Sequence, residues 1–346
     1  MNNKFFPTNF MLIMMMMMGT IMSLSSPHWL MMWMGLELNL MGILPLMNIK
    51  SNNLEIESSM KYFIIQSLSS SLFIMSTIFM FFNSATMYSM FNNNLFSTIM
   101  IISLLIKMGT APFHMWLTSM CKYMSWMTLF LILTWQKLGP LFMLSFINTN
   151  LIIIIIMSLF STILGSIQMI NQSNLQLIMT YSSISHLGWM LPASYMNNLI
   201  MLIYLIIYSL ITLPLFIFFS SKSSFYCYSL TENLTTMNKN NIFMMMMMMS
   251  LGGMPPMLGF MSKLMMLNLL INMHMFFLPI FLFMGTLISL FFYLNLCCML
   301  MIKSYFLFKI KSTNLKLKLI LCLNIMGSFL FLPILMLYAM NIFNKS

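Results

Sequence analysis

Apolar runs of about twenty residues recur along the whole 346-residue chain, separated by short polar turns such as Asn92 to Asn94, Asn171 to Asn174 and Asn197-Asn198. Twenty residues of helix at about 1.5 Å each match the hydrocarbon thickness of a bilayer, about 30 Å. Inside that layer every backbone N–H and C=O has to find its partner within the protein, so a lone run of this length folds as a helix. A β-barrel would instead show segments of about ten residues with alternating polarity. With 61% hydrophobic and only 5% charged residues, the chain also lacks the polar surface to cover a water-soluble globule of this size. The expected fold class is an all-α polytopic membrane protein.

Eleven helices are expected, at roughly 5–23, 27–47, 60–82, 95–117, 124–147, 150–170, 174–194, 197–220, 242–270, 275–302 and 318–340. No linker is long enough to define a second domain, so 1–346 is read as a single transmembrane domain. The distribution of lysines agrees with this segmentation. Lys4, Lys50, Lys61, Lys122, Lys222, Lys239, Lys303, Lys309, Lys311, Lys316 and Lys318 fall on the N-terminal side, and Lys345 alone on the other. The positive-inside rule then puts the N-terminus on the matrix or cytoplasmic side and, with an odd helix number, the C-terminus opposite. The net charge of +11 is a topology signal, and no nucleic-acid role is implied. The Lys303 to Lys318 cluster also suits an anionic phospholipid such as cardiolipin.

The chain has 51 Met and no Arg, Asp or Val. We take this as the mark of an AT-rich organellar gene in which AUA also encodes Met, a hypothesis that fails if Met14 to Met18 prove to be all AUG. The N-terminus has only Lys4 before its first apolar run and no Arg-rich leader, so the chain is expected to be made in the organelle that uses it. The Met runs at 14–18 and 244–249 are read as lipid-facing or packing residues and not as metal ligands. Five cysteines, Cys121, Cys227, Cys297, Cys298 and Cys322, form no CxxC pair. The four histidines are scattered over different segments, without the pairing that clasps a haem. No metal or redox cofactor is expected on this chain.

Four charged residues interrupt the apolar runs: Glu37, Lys107, Lys137 and Lys263. A charge at the centre of a spanning helix costs about 2.5 to 3.5 kcal/mol even on the lenient insertion scale, so such groups face a partner or a water-filled path. Glu37 lies in WMGLELN, about ten residues from either end of its run, too deep to reach the membrane surface. Lys107 opens KMGTAPFHMW, where Gly109 and Pro112 weaken the helix. Lys263 closes LGGMPPMLGFMSK, an even stronger break. Lys137, in LTWQKLGPL, is a lysine in an apolar setting that can exchange its proton. His186, in TYSSISHLGWM, is flanked by the hydroxyls of Tyr181, Ser182, Ser183 and Ser185, a stretch able to order water. For each the alternative is structural: a carboxylate bonded within the bundle, a proline kink with its lysine on a carbonyl, a packing lysine, or a satisfied core histidine.

Interrupted helices at mid-membrane are a feature of transporters, and two of them five helices apart imply a repeat whose second copy is inverted. The expected copies are 5–147 and 150–302, with 318–340 as an additional helix. The strings LLIKMGTAPFHMW, SSISHLGWM and GGMPPMLGFMSK resemble the antiporter-like membrane subunits of respiratory complex I, over nearly the whole chain. That resemblance implies a proton-translocating subunit of NADH:ubiquinone oxidoreductase in the mitochondrial inner membrane. Glu37 would tune the first half-channel, Lys107 would pair with it, Lys137 would connect the half-channels, Lys263 would serve the second, and His186 would act as a polar relay. It further implies that FMN, iron-sulfur clusters and ubiquinone belong to partner subunits, and that the partners are other membrane subunits of the complex. Two alternatives stay open: a cation/proton antiporter subunit outside the respiratory chain, and a purely structural membrane subunit.

Overall fold

The computed structural model describes residues 6–49, 52–85, 93–147, 151–222, 225–226 and 239–305. Among these there is no β-strand. The helices are α1 (Phe6–Ser25), α2 (Trp29–Met47), α3 (Asn53–Ala85), α4 (Asn93–Met108), α5 (Met115–Cys121), α6 (Trp126–Leu133), α7 (Leu138–Leu144), α8 (Leu151–Ile170), α9 (Leu175–Met196), α10 (Asn198–Lys222), α11 (Lys239–Gly252), α12 (Leu258–Asn272) and α13 (Phe277–Tyr305). Seven stretches of described helix are long and apolar enough to cross a bilayer, the longest being Asn53–Phe82. The chain is a multi-pass helical membrane protein. The expected helix at 318–340 and the lysines from 309 to 318 lie outside the described residues.

Three expected helices prove to be divided. The run at 95–117 becomes α4 and α5, and that at 242–270 becomes α11 and α12. The run at 124–147 becomes α6 and α7, joined by a turn of 3-10 helix at Trp135–Lys137. Pro140 explains this last break. It has no N–H for the carbonyl of Gln136 and its ring crowds that carbonyl, so the preceding turn tightens, and Lys137 N bonds Thr134 O at 3.3 Å instead of a carbonyl four residues back. Helix α3 starts earlier than expected, because its first turn is polar. Glu55 sits there beside the positive helix end, and Lys61 Nζ donates to Glu57 Oε1 at 2.6 Å.

The chain divides into two compact units, one made of 1–158 with 194–198 and the other of 159–193 with 199–346. In the first unit, α1 and α2 touch backbone to backbone. A Cβ on Gly35 would lie 2.6 Å from Ser23 N and 2.7 Å from Gly19 O, and one on Gly19 would lie 2.6 Å from Asn39 N. Without a hydrophobic drive between helices in lipid, such close approach supplies the dispersion contact that holds them together. It also sets the axial position of the α2 residues Glu37 and Asn39. We therefore expect Gly35→Val to separate the two helices and destabilise the unit by at least about 1 to 3 kcal/mol, the usual cost of overpacking. Its amount in the membrane fraction and its thermal aggregation midpoint, relative to the unsubstituted chain, provide the measurement.

Candidate functional site

In the first unit the site is assembled around the end of α4. Gly109, at φ +68°, takes the left-handed conformation that ends a helix. Gly109 N bonds Ile106 O at 3.1 Å and Thr110 N bonds Leu105 O at 3.3 Å, the paired bonds of a Schellman cap. Neither reaches the carbonyl of Lys107, one of the four that every helix end leaves without a partner. Gln66 supplies it: its Nε2, from α3, donates to Lys107 O at 3.1 Å. A neutral amide from a neighbouring helix thus completes the break and fixes the backbone of the lysine.

Lys107 and Lys137 are both buried, and both line one cavity of about 20 Å³. Its polar walls are Asn39, Tyr62, Gln66 and Gln136, and Trp116 closes one side. Gln136 Nε2 donates to Asn39 Oδ1 at 2.9 Å, tying the 3-10 turn of Lys137 to α2. A cavity needs roughly 10 to 15 Å³ by this measure to hold one water, and a water needs two to four polar partners. This chamber meets both conditions for a single molecule.

Glu37 stands beside this chamber. On α2 it is Leu36, Asn39 and Leu40 that line the cavity, a helical i, i+3, i+4 stripe that turns the intervening Glu37 to another face. The carboxylate acts electrostatically on both Lys107 and Tyr62. Among the described residues it makes no ion-pair contact with Lys107, and its Oε1 is buried without a hydrogen-bond partner. The pairing of Glu37 with Lys107 that the resemblance implies is therefore not a contact ion pair in this structure.

The second unit repeats the helix ending. Gly253, at φ +87°, follows α11; Gly253 N bonds Ser250 O at 3.2 Å and Met254 N bonds Met249 O at 3.3 Å. Gly109 and Gly253 share the cap and are each followed by proline at the third position, Pro112 and Pro256. Here the lysine itself supplies the free carbonyl, for Lys263 Nζ donates to Gly252 O at 2.8 Å. A cation at this helix end meets the negative pole of the peptide dipoles. The backbone of Gly253 lies against the lysine so closely that a Cβ there would sit 2.7 Å from Nζ.

His186 lies on α9 in the second unit, among the hydroxyls of its own helix and of α10. Ser182, Ser183 and Ser185 donate to the carbonyls three residues back, at 2.8, 2.7 and 2.7 Å. The imidazole instead has Nδ1 2.9 Å from Tyr204 Oη, with the ring of Tyr208 packed at 5.1 Å between centroids. Tyr204, Gln66 and Asn39 were not singled out in the sequence. The signal was present in Gln66 and Asn39, amides inside otherwise apolar runs, where a buried polar group has to find a partner.

The sequence relationships agree with the geometry. Residues 26–289 match the family described as NADH:quinone oxidoreductase/Mrp antiporter, TM. The chain belongs to this family. It is 37% identical over 306 residues to the NADH-ubiquinone oxidoreductase chain 2 of Anopheles gambiae, covering 86% of this chain and 87% of that one. It is 35% identical to the protein of the same name from Bos taurus, over 81% of this chain and 82% of the other. In fold it resembles a chain of the respiratory complex I from Thermus thermophilus with bound aureothin, at a TM-score of 0.74 and 19% identity, over 91% of this chain and 78% of that one. The matched range contains Glu37, Lys107, Lys137, His186 and Lys263.

Proposed function

We propose that this family member is a proton-translocating membrane subunit of an NADH–ubiquinone oxidoreductase, seated in the mitochondrial inner membrane with its N-terminus on the matrix side. Protons pass along Glu37, Lys107, Lys137, His186 and Lys263. FMN, iron-sulfur clusters and ubiquinone reside on partner subunits, and the chain contacts other membrane subunits and phospholipid, including cardiolipin at its basic C-terminal cluster. The architecture we infer is eleven helices with two inverted five-helix copies, an inference supported by the matching glycine caps of α4 and α11.

The observation that carries the function is the chamber shared by Lys107 and Lys137. Two buried lysines lining one water-sized space are costly as purely structural features, because a charged group within the membrane is expensive to bury. They are suited to handing a proton from an ammonium to a neutral amine. Glu37, next to Lys107 and not bonded to it, biases that lysine without trapping its proton.

The test is Glu37→Gln in the assembled complex. Removing an opposite charge near a buried cation is worth about 1 to 2 kcal/mol, so proton transfer through this chain is expected to fall roughly tenfold. Simultaneous measurement of proton release and NADH oxidation in sealed vesicles gives the result. An assembled Glu37→Gln complex with an unchanged proton-to-electron ratio contradicts this role. Purification of the chain with antiporter partners that carry no flavin or iron-sulfur cluster contradicts its place in the oxidoreductase.

A further inference from the structure

We infer that Asn39 and Gln136 act together as a positioning pair that orients a single water for proton transfer between Lys107 and Lys137, an inference that rests on the function proposed above. The two amides come from α2 and from the 3-10 turn, they are 97 residues apart in sequence, and they are bonded across the wall of the chamber at 2.9 Å. Both line the same space as the two lysines. Asn39 is 2% exposed, and the bond as a whole is partly buried.

The chemistry calls for a neutral acceptor beside the two lysines. A lysine ammonium has three donors and no acceptor, and a neutral lysine amine offers one lone pair. A water between them accepts a hydrogen from the ammonium and directs one of its own at the lone pair. Its second hydrogen then needs an acceptor that does not compete for the proton in transit. An amide oxygen is such an acceptor. The bond between Gln136 Nε2 and Asn39 Oδ1 leaves Gln136 Oε1 and the second lone pair of Asn39 Oδ1 for this purpose.

The step balances. The N–H of the Lys107 ammonium breaks as an O–H forms on water, the opposite O–H of that water breaks, and an N–H forms on Lys137. One ammonium, one amine and one water are present before and after, with the charge moved from one lysine to the other. The amides hold the water in line and take no proton.

The pair also explains the position of Lys137. A 3-10 turn inside a helix is a weak point, and Gln136 is the residue next to the lysine in that turn. Anchoring Gln136 to α2 keeps the lysine at the chamber. The reach of the bond is the sum of one short and one long amide side chain, which makes the arrangement testable by exchange.

The experiment uses the complete assembled complex in sealed vesicles, with proton release, NADH oxidation and the solvent deuterium isotope effect on coupled turnover as readouts. Asn39→Leu and Gln136→Met, alone and together, are expected to lower proton transfer through this chain by at least about tenfold, the loss expected when reacting groups lose their alignment. The double variant should be no worse than either single one, because both remove the same alignment. Asn39→Gln alone is too long and Gln136→Asn alone too short, and each should show the loss; Asn39→Gln with Gln136→Asn restores the reach and should restore transfer and the isotope effect. The amide variants keep the chamber polar, so they decide the matter if the apolar ones fail to assemble. Full transfer in the assembled single variants, or no recovery in the exchanged pair, overturns the positioning role. If Lys137→Met stops transfer while the amide variants leave it intact, only this inference falls and the proposed function stands.

Discussion

Replacing Lys137 by methionine is expected to stop proton transfer through this chain while the complex still assembles. Methionine keeps the length and volume of the lysine stem, and exchanging a buried charge for an apolar group of similar size is commonly neutral or stabilising. What is lost is a group that can both accept and release a proton, and removing such a group costs about 10² to 10⁴ in rate. Lys137 is 2% exposed and shares the chamber with Lys107, so neither bulk solvent nor a surface group takes over its role. The measurement is proton release per NADH oxidised in sealed vesicles, with the amount of assembled complex as reference. A variant that assembles and pumps normally removes Lys137 from the path, and one that fails to assemble identifies it as a packing residue.

Gly253→Ala should produce the second large effect, and its neighbour supplies the control. An alanine at φ +87° carries backbone strain of about 1 to 2 kcal/mol, and its Cβ would lie 2.7 Å from Lys263 Nζ. The flexible lysine gives way more easily than the backbone, so its bond to the carbonyl of Gly252 is broken. A displacement of about 1 Å in a reacting group can cost about 10²-fold in rate. Gly252 has no such neighbour: a Cβ there would meet Tyr293 Cδ2 at 3.5 Å, an ordinary contact. Gly253→Ala is thus expected to lose proton transfer and Gly252→Ala to retain it, both in assembled complexes. Equal behaviour of the two variants would show that the seat of Lys263 does not matter for transport.

Taken together, the two breaks show one backbone solution used with different side chains. In the first unit a glutamine from another helix bonds the free carbonyl, and Lys107 lines the chamber. In the second the amine of Lys263 bonds the free carbonyl directly. Lys263 Nζ is thus engaged with a helix end, whereas the carbonyl of Lys107 is taken up by a side chain from another helix. The same glycine and proline spacing therefore supports two different ways of holding a lysine.

The class of fold and the rare charges are legible in the chain alone. Long apolar runs admit only helices in lipid, because backbone groups have no water to bond, and Glu37, Lys107, Lys137 and Lys263 stand out because charge is expensive there. Glycine and proline marked the breaks at 109–112 and 252–256, because left-handed backbone and the missing proline N–H are local properties. The 3-10 turn at Lys137 was foreshadowed by Pro140 but read as continuous helix, since the apolar period alone carries no record of one tightened turn. The partnership of residues far apart in the chain comes from helix packing: Gln66 with the carbonyl of Lys107, Asn39 with Gln136, and His186 with Tyr204. Ser182, Ser183 and Ser185, next to His186 in sequence, each donate to a carbonyl of their own helix, which is always within reach. Local chemistry fixes which groups need partners, but the packing of one helix on another chooses them, because a helix turns successive residues about 100° apart and only the facing side of each meets its neighbour.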